Sequence, residues 1–137
     1  MNKQKIINKV KALNFPKNSY IVFGSCPLAI LGLREAKDID LLVSKEVHEN
    51  LEKSGWKKIN KGLKDTPLTY DVFEAHDNWD FSHYNPTLSD LLSRAMEVDG
   101  VPFASLEDVR KWKEGYGRPC DVADIKLING YLEQRPA

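Results

Sequence analysis

A chain of 137 residues, 42% hydrophobic and 29% charged, is long enough for one substantial core and too short for two full domains, so a single domain over residues 1–137 is expected. Lys plus Arg and Asp plus Glu each total 20, so no global field draws the molecule toward nucleic acid or an anionic membrane, and any electrostatic binding is local. No apolar run approaches the ~18–20 residues of a membrane span, and the opening MNKQKIINKVKALNF lacks the apolar stretch of a secretory signal, so the expected location is cytoplasmic. Cys26 and Cys120 lie far apart with no Cys-x-x-Cys spacing, which indicates neither a disulfide framework nor a zinc knuckle.

The first segment carries five lysines and no acid through Tyr20. Ile6, Val10 and Leu13 recur at helical spacing between those lysines, predicting one amphipathic helix ended by Pro16 and Asn18. Tyr20 to Phe23 reads as a strand, Gly24-Ser25 as a tight turn, and Cys26 to Leu31 as a helix with Pro27 near its first position. Ile39 to Val43 forms a second strand, and Ser44 can cap a helix through Lys53. Strand pieces are expected around Trp56 to Ile59 and Leu68 to Phe73, with a turn at Lys64-Asp65-Thr66-Pro67. The aromatic, acidic and aperiodic EAHDNWDFSHYNP, from Glu74 to Pro86, reads as a loop over a surface or cleft. Thr87 and Ser105, each followed three residues later by Asp, resemble helix-start capping boxes. Asp99-Gly100 between Met96-Glu97-Val98 and Val101-Pro102-Phe103 predicts a two-residue hairpin. A last helix from near Pro119 should bury Ile125, Ile128 and Leu132 along one stripe.

The chemistry concentrates in Gly24-Ser25, twelve intervening residues, and Asp38-Ile39-Asp40-Leu41. A glycine lets backbone approach a bulky anion, and a serine hydroxyl with N–H groups at a helix start can hold phosphate oxygens. Asp38 and Asp40 lie on one face of a strand about 6–7 Å apart, while Ile39, Leu41 and Val43 face the core. Two such carboxylates repel unless a cation sits between them, and hard oxygen ligands suit magnesium. A magnesium site facing a phosphate cradle is what phosphoryl or nucleotidyl transfer requires.

This segment resembles the signature of the polymerase β-type nucleotidyltransferase superfamily, Gly-Ser followed by Asp-x-Asp. The intervening Leu28-Ala29-Ile30-x-Gly32-Leu33-Arg34 and the Leu-Leu-Val after Asp40 are similar to its small uncharacterised bacterial and archaeal members. The resemblance implies an α/β (α+β) nucleotidyltransferase-like fold, a short mixed β-sheet flanked by helices with a helical C-terminus. It also implies a third carboxylate from a neighbouring strand, for which Thr69-Tyr70-Asp71-Val72-Phe73-Glu74 offers two candidates. Asp71 and Glu74 fall on opposite faces of a regular strand, so only one can join Asp38 and Asp40; Asp71, inside the apolar run, is preferred, with Glu74 as the alternative. The implied roles are metal ligation by Asp38, Asp40 and Asp71 of Mg2+, in a site for two ions, with Asp71 also the general base toward an acceptor hydroxyl.

A second stretch resembles the tail of the same small family: Val101-Pro102-Phe103-x-Ser105-Leu106-Glu107-Asp108, then Lys113, then Gly117-Arg118-Pro119-Cys120-Asp121-x-x-Asp124-Ile125. Cys120 stands where that family carries lysine. Arg118 can pair with Asp121 or Asp124 at the helix start; alternatively Lys113 or Arg118 reaches a nucleotide triphosphate as a cationic clamp, joining Gly24 and Ser25 as nucleotide-binding residues. Of the three histidines, His48, His76 and His83, the pair His76 and His83 reads as ordinary loop histidines because it lacks Cys or acid partners at a recognised metal spacing. Trp79 and Tyr84 read as aromatic anchors of the loop, with base stacking as the alternative.

The expected activity is Mg-dependent transfer of a nucleoside monophosphate from a nucleoside triphosphate such as ATP to an acceptor hydroxyl, with release of pyrophosphate. The alternative is a catalytically silent, antitoxin-like binding module on the same fold. With few residues left for holding the acceptor, a homodimer or a partner protein is expected to complete the site. Nucleic-acid binding through the lysine helix is the third reading, opposed by the zero net charge.

Overall fold

The computed structural model describes residues 1–59, 67–78 and 84–134, the side chain of Tyr116 excepted. The turn expected at 64–67 therefore lies almost wholly outside the described residues, as do Trp79 and His83.

Helix α1 (Lys3–Ala12) is capped by the Asn2 side chain and buries Ile6, Ile7 and Val10. Strand β1 (Tyr20–Phe23) is buried along its length and runs through a turn into α2 (Cys26–Ile30), where Pro27 occupies the first turn without loss of a needed N–H. Strand β2 (Ile39–Val43) follows. Ser44 then caps α3 (Lys45–Lys53), accepting a bond from the Val47 N–H at 3.2 Å, a cap of the kind worth about 1 kcal/mol.

Two short strands, β3 (Lys57–Lys58) and β4 (Leu68–Tyr70), pair antiparallel. The single strand expected over Leu68 to Phe73 is instead broken at Asp71-Val72, where a two-residue turn leads to β5 (Phe73–His76). Asp71 takes φ 52°, a left-handed conformation that aspartate tolerates better than β-branched residues do. The first part of the expected loop is thus strand, with Phe73 and Ala75 buried on one face and Glu74 and His76 half-buried on the other.

Thr87 and Asp90 form a reciprocal capping box on α4 (Leu88–Ser93). Strands β6 (Met96–Val98) and β7 (Val101–Phe103) form the expected hairpin. Asp99 and Gly100, at φ 51° and 80°, both take the positive φ of a type I′ turn. Ser105 caps α5 (Leu106–Tyr116), left-handed Gly117 ends it, and α6 (Pro119–Gln134) begins two residues later. In α6 Ile128 is fully buried, while Ile125 and Leu132 are half-buried.

The strands form one mixed sheet in the order β3-β4-β5-β2-β1-β7-β6. Strand β2 is antiparallel to β1 and parallel to β5. One face packs Val22, Ile39, Leu41, Phe73 and Phe103 against α1, α2 and α3. The other packs Ile21, Phe23 and Leu42 against Leu91 of α4, Leu106, Val109 and Trp112 of α5, and Ile128 of α6. Both faces being covered explains why β1 and β2 read as nearly continuous apolar runs. Asp40 interrupts the β2 run and is only partly buried. No helix among the described residues is long and apolar enough to cross a membrane.

Candidate active site

The C-terminal end of β1 meets the start of β2 antiparallel, so Phe23 lies opposite Asp40 and the Gly24-Ser25 turn arches over that carboxylate. Strand β5 runs parallel on the other side of β2, with Glu74 opposite Asp40 and His76 opposite Leu42. Because registered partners point to the same face, Asp40, Glu74 and His76 converge, with one ligand atom of each within 4.8 Å of the others. Asp38, two residues before Asp40, lines the same cleft, which has a volume of about 400 Å³ and is also lined by Gly24, Ser25, Arg34, Lys113 and Arg118.

Several contacts among the described residues hold the acidic wall. The Cys26 thiol donates to the Asp38 carbonyl at 3.3 Å; burial pushes that thiol's pKa up, and the charges of Asp40 and Asp38 push it further, so it stays a protonated donor. The His76 ring meets the edge of Phe23 at 5.6 Å between centroids, and Phe23 in turn meets Trp112 at 5.1 Å.

The facing wall comes from α5, α6 and the segment after α2. Lys113 is only 4% exposed, and its Nζ lies 2.8 Å from Asp124 and 3.5 Å from Asp121. Asp124 also accepts two bonds from Arg34 Nη1, at 2.7 and 2.9 Å. Asp121 accepts from Arg118 Nε at 2.6 Å and Nη2 at 3.1 Å. Burial alone would raise the Asp121 pKa; the Arg118 hydrogen bonds and the Lys113 and Arg118 charges overcome it and hold the carboxyl below its usual range. Among the described residues, two aspartates thus anchor three cations. Lys113 is enclosed, whereas the Arg34 and Arg118 side chains remain 32% and 52% exposed.

Of the residues singled out in the sequence, Gly24, Ser25, Asp38, Asp40 and Lys113 line this one cleft. Asp71 is placed elsewhere: it projects from the β4–β5 turn, 46% exposed, and accepts from Lys9 Nζ at 2.7 Å. The hydrogen bond from Lys9 lowers its pKa. Glu74 holds the position beside Asp40 for which Asp71 was preferred. The α2 start also differs from the cradle anticipated. Ser25 makes no side-chain capping bond, and a five-residue helix with proline in its first turn presents few N–H groups.

Sequence reasoning missed His76, although Phe73-Glu74-Ala75-His76 carries the strand's two-residue alternation. It also missed Arg34, whose partner Asp124 is ninety residues away. Tyr84 is an anchor, donating its hydroxyl to Asp108.

No family model matches the chain, and no curated protein matches it. Among solved structures it is similar to ANT(2″)-Ia in complex with adenylyl-2″-tobramycin, with a TM-score of 0.52 and 14% identity over 94% of this chain and 86% of that one. At that identity the likeness speaks to architecture: the fold is nucleotidyltransferase-like.

Proposed function

We propose that this cleft transfers a nucleoside monophosphate from a nucleoside triphosphate to an acceptor hydroxyl. The observation that carries the reading is the meeting of two walls in one cleft, Asp38 just before β2 with Asp40 and Glu74 on the sheet, and Arg34 and Arg118 on the helical side. The first wall attracts divalent cations and the second a polyanion, and a metal-bound triphosphate is both. The adenylylated tobramycin bound by the structural neighbour supports a nucleotidyl group as the group transferred.

The donor set fits a divalent cation: carboxylate oxygens of Asp40 and Glu74 on adjacent strands lie within 4.8 Å of each other and of a His76 ring nitrogen. Asp38, Asp40 and Glu74 would hold it, with Mg2+ the expected ion, and when bound it supplies charge neutralisation and in-line alignment of the phosphates. Gly24 and Ser25 receive phosphate oxygens at the turn. Arg34 and Arg118, rather than the enclosed Lys113, meet the β- and γ-phosphates, and Lys113 fixes the two aspartates that aim them. Glu74 takes the third-carboxylate role. It removes the proton from the acceptor hydroxyl as that oxygen bonds to the α-phosphorus and the bond to pyrophosphate breaks.

The test is transfer of a radiolabelled nucleoside monophosphate to candidate hydroxyl acceptors by wild type and by Glu74→Gln. Labelled product that disappears in the variant supports the proposal. Metal-dependent triphosphate binding without turnover on any acceptor would assign the chain to a silent binding module instead.

A further inference from the structure

We infer that His76 ligates the cation directly through nitrogen, giving this site a mixed nitrogen and oxygen donor set that prefers a first-row transition cation, Mn2+ as the probe, over Mg2+. The inference rests on the cation-binding reading of the cleft given above and adds a ligand and a metal preference to it.

Four features support it. His76 lies on the same face of β5 as Glu74 because the strand alternates, and the parallel register brings that face alongside Asp40. Its Nε2 is 3.3 Å from Glu74 Oε1; adjacent ligands of an octahedral ion with ~2.2 Å bonds are about 3.1 Å apart, and opposite ones about 4.4 Å. The three donors lie within 4.8 Å of one another, so small side-chain rotations bring all of them onto one ion. The side chain is 12% exposed and its ring makes a T-shaped contact with Phe23, which limits its swing away from the carboxylates.

The 3.3 Å separation of His76 Nε2 from Glu74 Oε1 suits two neighbouring ligands of one ion, with the imidazole as its nitrogen donor. Mg2+ favours oxygen ligands and retained water, whereas imidazole suits transition ions, so the nitrogen biases the choice of metal.

The full chain loaded with Mn2+, without nucleotide, tests this by pulsed electron paramagnetic resonance. Wild type is expected to give nitrogen-14 modulation that converts to the nitrogen-15 pattern on histidine labelling and disappears in His76→Gln. By calorimetry the Mn2+ to Mg2+ affinity ratio should fall on the order of tenfold in that variant. Should His76→Gln fail to fold, the double variant His48→Gln/His83→Gln, which keeps His76 as its one histidine, must retain the nitrogen signal. Bound Mn2+ without a histidine nitrogen signal, a signal surviving in folded His76→Gln, or no Mn2+ binding by wild type overturns the inference. Failure of the wider reading looks different: magnesium and triphosphate then show no mutual dependence in wild type and no loss in Asp38→Asn/Asp40→Asn.

Discussion

Gly24 and Asp40 occupy shared space: a Cβ built on Gly24 would lie 2.2 Å from Asp40 Oδ2 and 3.1 Å from its Cγ. Gly24 also takes φ +74°, which disfavours any side chain. Alanine there must displace the carboxylate that lies opposite Glu74. Gly24→Ala is therefore predicted to reduce transfer by at least about a hundredfold while costing only about 1–2 kcal/mol of stability. Transfer assays beside urea unfolding separate the two effects.

Asp71 and Glu74 should behave oppositely. Asp71→Asn breaks an exposed contact with Lys9 outside the cleft, and transfer should remain within about twofold of wild type. Glu74→Gln keeps volume but loses the charge beside Asp40, and transfer should fall by on the order of a thousandfold. Parallel kinetics on both variants decide which carboxylate belongs to the site.

The cations of the helical wall divide by burial. Lys113→Met leaves Asp121 and Asp124 enclosed without their shared ammonium, and about 3–5 kcal/mol of stability should be lost. Arg34→Ala and Arg118→Ala remove more exposed groups, and each should raise KM for the triphosphate on the order of tenfold. A thermal melt paired with a KM measurement on each variant distinguishes enclosed from receiving cations.

Acid stability follows from two buried aspartates. Burial alone would raise the pKa of Asp108, but hydrogen bonds from Arg94, Tyr84 and Ser105 outweigh it and the net shift is downward; Asp121 is lowered in the same sense. The unfolded carboxyls take up protons near pH ~3.9 while the folded ones still resist. Below that pH the unfolded state therefore binds more protons, and stability is lost as pH falls toward the folded pKa values. Urea midpoints should be insensitive to these groups above about pH 5 and decline below about pH 4. Asp108→Asn should be less stable at neutral pH and should show a shallower acid decline.

The strand, turn, helix and strand from Tyr20 to Val43 was legible because each signal is local: a β-branched run, a glycine, a proline at a helix start, alternating acids. The caps at Ser44, Thr87 and Ser105 and the Asp99-Gly100 hairpin were legible for the same reason. The Asp71-Val72 turn was hidden because Leu68 to Phe73 has the composition of one strand, and aspartate adopts φ 52° without the glycine that usually marks a turn. The partnership of Glu74 with Asp40 depends on parallel pairing of β2 with β5, across more than thirty residues, which no local pattern encodes. Enclosure of Lys113 was hidden likewise, since it depends on how α5 docks against α6.

The central claim is that Asp38 and Asp40 belong to a metal-dependent triphosphate site, and calorimetric titration of nucleoside triphosphates with a divalent metal into wild type and Asp38→Asn/Asp40→Asn tests it most directly. The account predicts binding to wild type that requires the metal and is lost in a double variant that remains folded. Triphosphate binding that persists unchanged in that variant, or is absent from wild type with Mg2+ and with Mn2+, would contradict it.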